Sequence, residues 1–590
     1  MIFFTKKKSS QFFFGLFFVT LIIAGHPISI DGAFNDWNTV PVAYEDDSND
    51  YDEADFHILK ITEDNNFIFI YLSFYSDEFL MQNWNDFHLY IDADDDSLTG
   101  FNIGGIGAEL KWIFGSRTGQ SNINDSQSEI YQNDLNLRIA PTTTSNKFEI
   151  AISKSSNPLT LGGEQTFSKG RFLLTEKENG GDILPDNTDE IFFEFYDQLV
   201  PEPIPILLDR KSEQDIRLVS YNTLNEGILD PNRQSHFRRI IQALDPDIIA
   251  LQEHSEWGSI EDIIQSWFPN DDWNASWTYG DLVVLSNFSI ISHTQLSSDR
   301  SMAVLIETVD RIGKNLLVFN SHLSCCSNDE DRQDQVDSFT SDWREWRLNN
   351  TVPFEIEEST PFIHVGDFNF VGYRKQVETI RLGNIDNENE FGNDFYPDWD
   401  STPIVELYPR HTHKRMGYTW RNDNSSFNPG KLDYIFYSDA TIDSGRNYIL
   451  NTLSMDQASL NQYSLQEADT EIASDHLPLV FDIKVDQDLG YYDASKLNET
   501  TVKCFAYPNP FNSRVKIEFS TSKSTSLIVN IFDVNGKLIN RLFDGFMGKG
   551  LNSLDWNGKT NKGNECSSGI YFIYYRTDQK IYKQRLIYLK

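Results

Sequence analysis

The sequence is short of several things. Cysteine is scarce, with four in 590 residues, so no disulfide framework organises the fold. Basic charge is scarce as well. Lysine and arginine together number 49 against 89 aspartates and glutamates, a formal net charge of −40. Such a field repels polyanions at long range and excludes a protein that holds nucleic acid through charge alone. It leaves open an enzyme that meets phosphate through a bound cation. Apolar runs long enough to span a bilayer are missing. The longest, Phe12 to Ala24, is about 13 residues and follows Lys6, Lys7 and Lys8, which is the layout of a secretory signal peptide over residues 1–25. Internal repeats and long low-complexity tracts are also lacking, which excludes solenoids and fibrous arrays.

What is present is length and aromatic content. A chain of 590 residues exceeds what one core supports, so several domains are expected. Aromatics make up 14%, a sign of β-rich modules. Residues 27–200 alternate short apolar strands (FIFIYLSF, DFHLYIDA, ELKWIFG, KFEIAISK) with Asn, Asp and Gly turns, the pattern of a β-sandwich. A Pro-rich stretch follows, and residues 201–214 read as a linker. From Ile216 strands alternate with helices. FRRIIQAL places Phe237, Ile240, Ile241 and Leu244 on one helical face, and residues 215–486 read as an α/β domain. Residues 487–502 are a second polar linker. Residues 503–590 return to β-strands with NG, GK and SG turns.

Residues suited to phosphoester chemistry stand where strands of the α/β region run out: Asn222 in SYNTLN, Glu253 in LQE, His322 in NSHL, Asp367 and Asn369 in GDFN, Asp433 in LDYIF, and Asp475 and His476 in SDHLP. Active sites of layered α/β folds form at strand ends. Glu253, Asp475 and the Asn222 amide are oxygen ligands that suit Mg²⁺ or Mn²⁺. An imidazole is the side chain best matched to activating water near neutrality, and Asp433 suits the fixing of its tautomer. Asn369 and a protonated His322 suit charge stabilisation on the phosphoryl group. Taken singly, each Asn and Asp is as much at home in a turn or cap, and each His as an ordinary buried histidine.

Taken together and in order, the six motifs resemble the endonuclease/exonuclease/phosphatase superfamily, which includes deoxyribonuclease I-like nucleases, apurinic endonucleases, inositol-polyphosphate phosphatases and neutral sphingomyelinases. The resemblance implies a central four-layer α/β sandwich with two mixed sheets. It implies Glu253 as the main metal ligand, assisted by Asn222 and Asp475. It implies His476 as general base oriented by Asp433, with Asp367 and Asn369 positioning water and phosphate. His322 matches the histidine of deoxyribonuclease I-like and sphingomyelinase-like members, where apurinic endonucleases usually carry tyrosine.

Substrate choice is less legible. Gly417 to Arg421 (GYTWR) resembles the Phe/Tyr-Thr-Trp segment beside the site in nuclease members. Trp420 is then a base-stacking candidate, with Arg421, Lys431 or Arg332 as phosphate holders; each is equally at home in core or on the surface. His411 to Arg415 (HTHKR) is a basic island with room for a second phosphate. Adjacent Cys325 and Cys326 either close a vicinal disulfide that holds the loop beside His322, the favoured reading, or stay reduced as packed thiols.

The first module, with ISIDGAFNDW and YIDADDDSLTGF, resembles family-9-like carbohydrate-binding modules. The resemblance implies a glycan partner, with Trp37 and Trp112 as sugar-stacking or core residues. Asp92, Asp94 and Asp96 have calcium-loop spacing, or form a solvated acidic turn. The last module, with YPNPFN, IFDVNGKLI and LDWNGKTNKG, resembles the C-terminal sorting domain of the type IX secretion system of Bacteroidetes-like bacteria. It implies an Ig-like β-sandwich read by outer-membrane secretion machinery, with Cys504 and Cys566 either paired or packed as thiols. The expectation is a monomeric, exported Mg²⁺-dependent phosphodiesterase, foremost a nuclease on extracellular DNA or RNA. A phospholipid or small phosphate ester as substrate, and an inactive surface glycan-binding protein, are the alternatives.

Overall fold

The computed structural model describes residues 21–590 apart from 24, 49–53, 76–77, 164–165, 179–180, 186–190, 196–199, 256, 279, 350–353, 355, 486–501, 508, 510, 522–524, 534–536, 549 and 577–580. The expected signal segment thus lies mostly outside the described residues; Leu21–Ile23 pairs with Ile191–Phe195 as an edge strand. Among the described residues no helix is long and apolar enough to cross a membrane. The chain divides into two compact units, Met1–Gln487 and Asp488–Lys590.

The first unit opens with a β-sandwich. One sheet has eight described strands and the other five. The strand Phe67–Phe74 shows why it reads as a continuous apolar run. Ile68, Ile70, Leu72 and Phe74 point into the sandwich core. Phe69 and Tyr71 point the other way, into a core shared with the α/β layers. Burial on both faces removes the usual inside/outside alternation.

Four layers follow. One six-stranded sheet runs Asn274–Trp277, Val283–Ser286, Ile248–Gln252, Ile216–Asn222, Leu479–Ile483, Ser444–Ile449. The other runs Ile290–Gln295, Ser301–Ile306, Leu316–His322, Phe362–Asp367, Asp433–Tyr437, Val405–Glu406. Each is mixed, with a single parallel pair: Ile216–Asn222 with Ile248–Gln252, and Leu316–His322 with Phe362–Asp367. Alternate residues face inward, so Leu218, Ala250 and Val284 of one sheet meet Val304, Val318 and Val365 of the other. Residues between these face out. Val219 and Leu251 pack under the helices Gln234–Leu244 and Trp257–Trp267. Leu317 and Phe319 pack under Asp329–Asn349 and Arg374–Leu382.

The stretch read as a linker, residues 201–214, is packed in part against the α/β layers. Ile206 N donates to Thr412 O at 2.9 Å, Leu208 is buried, and the buried Arg217 guanidinium donates to Leu208 O at 2.6 Å. The apolar residues of the Pro-rich run give it something to bury. The second unit holds a three-stranded and a four-stranded sheet around one core that includes Val515, Phe519, Val529, Ile573 and Trp556. Cys566 is a buried free thiol there; the Cys504 side chain lies outside the described residues.

Candidate active site

Register places the polar residues. The parallel pair Leu316–His322 and Phe362–Asp367 sets His322 beside Asp367. The antiparallel neighbour Asp433–Tyr437 sets Asp433 on the other side of Asp367. These three therefore stand in one row across adjacent strands. The facing sheet ends at the same edge, with Asn222 paired to Gln252 just before Glu253. Asp475 and His476 precede the strand Leu479–Ile483, which pairs with Ile216–Asn222. The two sheets are cross-linked beside this edge: Gln252 Nε2 donates to Asn320 Oδ1 at 2.7 Å, and Asn320 Nδ2 donates to Leu251 O at 2.9 Å. Gly366 enters Asp367 at φ 144°, and a Cβ there would lie 1.9 Å from Ser321 O, so only glycine lets these strands close at the site.

Two imidazole–carboxylate pairs flank Asp367. His476 Nδ1 hydrogen-bonds Asp433 Oδ2 at 2.8 Å, leaving Nε2 directed toward the cleft, 3.6 Å from Asp367 Oδ2. His322 Nδ1 hydrogen-bonds Asp281 Oδ2 at 2.6 Å, with Nε2 3.7 Å from the same Asp367 oxygen. Burial disfavours a charged His476, but Asp433 and Asp367 beside it outweigh burial and raise its pKa to about 10. Burial likewise opposes a charged His322, and Asp281 and Asp367 outweigh it, so its pKa is also raised. Asp367 is itself raised, chiefly by burial. Asp281 escaped the sequence reading. Its only signal is an acidic residue just ahead of the apolar strand Val283–Ser286.

The cluster carries more negative charge than its own side chains balance. Asp475 Oδ2 accepts Trp420 Nε1–H at 3.1 Å, whereas Asp475 Oδ1 is buried with no hydrogen-bond partner. A buried orphan carboxylate oxygen is costly unless a cation meets it. Glu253, at φ 55°, accepts Asn225 N at 2.8 Å. The oxygen-only donor set of Glu253 and Asp475 fits a hard divalent cation. Asn222 departs from the ligand role expected of it. Its Nδ2 donates to Glu253 Oε1 at 3.1 Å and to Asp367 Oδ2 at 3.0 Å, while Oδ1 accepts Leu224 N at 2.9 Å. It thus ties two carboxylates together and turns N–H, not oxygen, to the site. Asn369, at φ 51°, donates through Nδ2 to Leu323 O at 3.1 Å.

A cleft of about 840 Å³ opens over this cluster, lined by Glu253, His322, Asp367, Asn369, Asp475 and His476, and by Trp420, Arg300, Cys325 and Cys326. Other expected substrate residues stand elsewhere. Arg332 is fully buried, donating to Ser324 O at 2.8 Å and Cys326 O at 3.0 Å and pairing with Asp329. It supports the loop after His322 and, wholly buried, does not line the cleft. Arg421 is clamped in a bidentate pair with Asp423, at 2.7 and 2.5 Å, outside this cleft. Lys431 is buried against Glu406 Oε1 at 3.0 Å. The basic island is structural too: His411 bonds Tyr418 O at 2.8 Å, and Arg415 donates to Pro201 O at 2.6 Å. Cys325 and Cys326 are exposed free thiols, so the expected vicinal disulfide is not formed. Burial and the adjacent Cys326 thiol push Cys325 up to about 11.

In the first module Trp37 and Trp112 are both core residues, 1% and 2% exposed, and present no face to a sugar. Asp92 and Asp94 do approach each other, but the third carboxylate is the buried Glu109, held up at about 7 mainly by burial. Asp96 instead faces solvent and accepts Leu98 N at 3.0 Å. Tight turn geometry at Asp95, φ 61°, swings Asp96 away.

Residues 219–476 match the model of the endonuclease/exonuclease/phosphatase family, and residues 506–589 match that of the secretion system C-terminal sorting domain. Among solved structures, the human Nocturnin catalytic domain is 17% identical, with 46% of this chain and 95% of that one covered and a TM-score of 0.29. ANGEL2, a 2′,3′-cyclic phosphatase, is 15% identical, with 49% and 99% covered and a TM-score of 0.32. An AP endonuclease from Archaeoglobus fulgidus is 14% identical, with 46% and 100% covered and a TM-score of 0.28. No curated protein matches the sequence. At these structural scores the family models carry the assignment: this chain carries an endonuclease/exonuclease/phosphatase domain and is a phosphoric ester hydrolase, with a sorting domain for export at its C-terminal end.

Proposed function

We propose that the protein is a secreted Mg²⁺-dependent phosphodiesterase that cleaves extracellular DNA or RNA. The observation that carries the reading is the convergence of two imidazole–carboxylate pairs on Asp367 beside the orphaned Asp475 oxygen. A divalent cation held by Glu253 and Asp475 supplies neutralisation of the phosphoryl oxygens. Asp433 holds His476 with Nε2 toward the cleft, and that nitrogen takes the proton of the attacking water. Asp433 and Asp367 raise the ring's affinity for a proton, and a cation bound at Glu253 and Asp475 would oppose that rise. Asn222 fixes Glu253 and Asp367 in relative position. His322, kept protonated by Asp281, donates to the phosphoryl oxygens as charge grows there. The sorting domain supports action outside the cell, where polymeric nucleic acid is a phosphate source.

The test is turnover by the purified full chain of plasmid DNA, RNA, sphingomyelin vesicles and bis(4-nitrophenyl) phosphate, with Mg²⁺ and with EDTA. Cleavage of DNA or RNA in Mg²⁺, lost in EDTA and restored by added Mg²⁺ or Mn²⁺, supports the proposal. Turnover confined to sphingomyelin, or full activity in EDTA, overturns it.

A further inference from the structure

The cleft is not built by the α/β layers alone. Leu80, Met81, Gln82, Asn83 and Trp84 of the N-terminal sandwich line it together with Glu253, His322, Asp367 and His476. The sandwich is seated firmly enough to bring them there. Ile30 N donates to Arg415 O at 3.1 Å and Gly417 N to Ile30 O at 2.8 Å; Thr144 N donates to Gly372 O at 2.8 Å. Thr142 Oγ1 donates to Phe370 O at 2.7 Å, directly behind Asn369. A Cβ on Gly430 would lie 2.6 Å from Thr142 Cγ2, and one on Gly417 would lie 2.6 Å from Asp31 Cβ. These are close approaches of a fitted surface.

Within this wall, Trp84 is out of place as a structural residue. It is 75% exposed, and its φ of 55° is a rare conformation for so bulky a side chain. The turn that carries it is held rigid from behind. Met81 is buried in the sandwich core, and Asn85 Nδ2 donates to Leu80 O, Met81 O and Asn83 O at 2.7, 2.8 and 3.0 Å. Arg117 then clamps the rim. It donates to Gln82 O at 2.7 Å and to the Asn83 side chain, reaches across to Ser426 Oγ at 3.2 Å, and lies 4.0 Å over the Phe427 ring. Phe427, which also lines the cleft, is 38% exposed. A rigid turn that holds an indole out in water at the mouth of a catalytic cleft forgoes the burial that such a ring normally obtains. Backbone outliers of this kind are sustained where function uses them.

We propose that Trp84 is a substrate-binding residue that stacks on an unpaired nucleobase next to the scissile phosphodiester, with Phe427 as the second aromatic of the same rim. The N-terminal sandwich is then a wall of the active site and sets its substrate class. This rests on the nuclease reading above. In a duplex the base faces are covered by their neighbours, so stacking of this kind selects single-stranded DNA or RNA, or a frayed end. It also suits a chain of net charge −40: ring stacking adds affinity for a strand through the base faces and not through charge.

The test uses the full chain in Mg²⁺ with a fluorescent single-stranded oligonucleotide, and the same strand with abasic spacers flanking the cleavage position. One lost base–aromatic contact predicts a KM about tenfold higher for Trp84→Ala, with kcat within about twofold of wild type because no reacting atom is touched. Trp84→Phe restores most of the loss. On the spacer strand wild type and Trp84→Ala converge. An unchanged KM in Trp84→Ala, or an equal loss on both strands, overturns the inference while wild-type cleavage leaves the nuclease reading standing. If wild type cleaves no nucleic acid and Trp84→Ala instead loses hydrolysis of sphingomyelin vesicles, both readings fall and the indole is a membrane contact.

Discussion

Replacing His476 and Asp433 singly and together tests whether they act as one unit. Their side chains meet at 2.8 Å and both are almost wholly buried, so Asp433 has no second partner to serve in solvent. Removing a general base typically costs about 10²–10⁴ in rate. Taking about 10³ for His476→Ala, the loss is about 4 kcal/mol of transition-state stabilisation. Asp433→Asn should cost as much. An amide N–H facing Nδ1 forces the proton onto Nε2, the nitrogen that must accept it, and the ring is then present but unable to act. If the two losses were independent, the double variant would lose about 8 kcal/mol, near 10⁶ in kcat. If they fail at one step, it loses about 4 kcal/mol, as His476→Ala does alone. The assay is steady-state kcat on a single-stranded oligonucleotide in saturating Mg²⁺, with thermal melting of each variant to confirm folding. Multiplying losses would refute the reasoning and assign Asp433 a separate role, such as direct contact with the cation. Wild-type activity in His476→Ala would refute the assignment of the base.

Asp281→Asn should move the alkaline fall in kcat to lower pH. His322 is raised by Asp281, is the useful species when protonated, and loses that support in the variant; an unmoved pH profile refutes it. Glu253→Gln should raise the Mg²⁺ concentration for half-maximal activity well above that of wild type, with partial rescue at high Mg²⁺; an unchanged metal titration refutes it. Asp31, at the seat of the N-terminal sandwich, is held up at about 7, mainly by burial. Its folded form keeps a proton that the unfolded chain releases near 4, so stability falls as pH rises from about 4 to 7 and is flat above. Asp31→Asn should therefore melt a few degrees higher than wild type at pH 8 and together with it at pH 4; equal melting at both refutes this. Because the chain carries net charge −40, kcat/KM on DNA should rise as NaCl goes from about 10 to 150 mM, opposite to a basic nuclease; a steep fall over that range refutes the absence of a basic groove.

The six motifs were readable because each sits at or just beyond one end of a strand, where a polar residue beside an apolar run stands out. Pairing then brings them together: the Leu316–His322, Phe362–Asp367 and Asp433–Tyr437 registers alone align His322, Asp367 and Asp433. What escaped the sequence are residues whose meaning depends on a partner far along the chain. Asp281 lies 41 positions from His322, and its one local signal, an acidic residue ahead of an apolar strand, does not name that partner. Arg332, Arg421 and Lys431 failed as phosphate holders for the same reason. A cation in a motif-rich stretch looks available until its carboxylate is known, and Asp329, Asp423 and Glu406 occupy them. Asp96 failed through one backbone angle, since alternation fixes which residues share a face only while the chain stays extended.

The N-terminal module carries the larger lesson. Of the two roles open to Trp37 and Trp112, sugar stacking or core, the structure shows core, and the most exposed tryptophan of the module is Trp84, 75% exposed. A different signal was present in FIFIYLSF. A strand of a two-sheet sandwich with one solvated face should alternate, and this one does not. Its second apolar face, Phe69 and Tyr71, had to be covered by something outside the sandwich, and the α/β layers cover it. Once that contact is required, the loops at one end of the sandwich are carried to the rim of the catalytic cleft. The failure of alternation in one eight-residue strand thus argues that the two modules share one active site, which neither module's own motifs state.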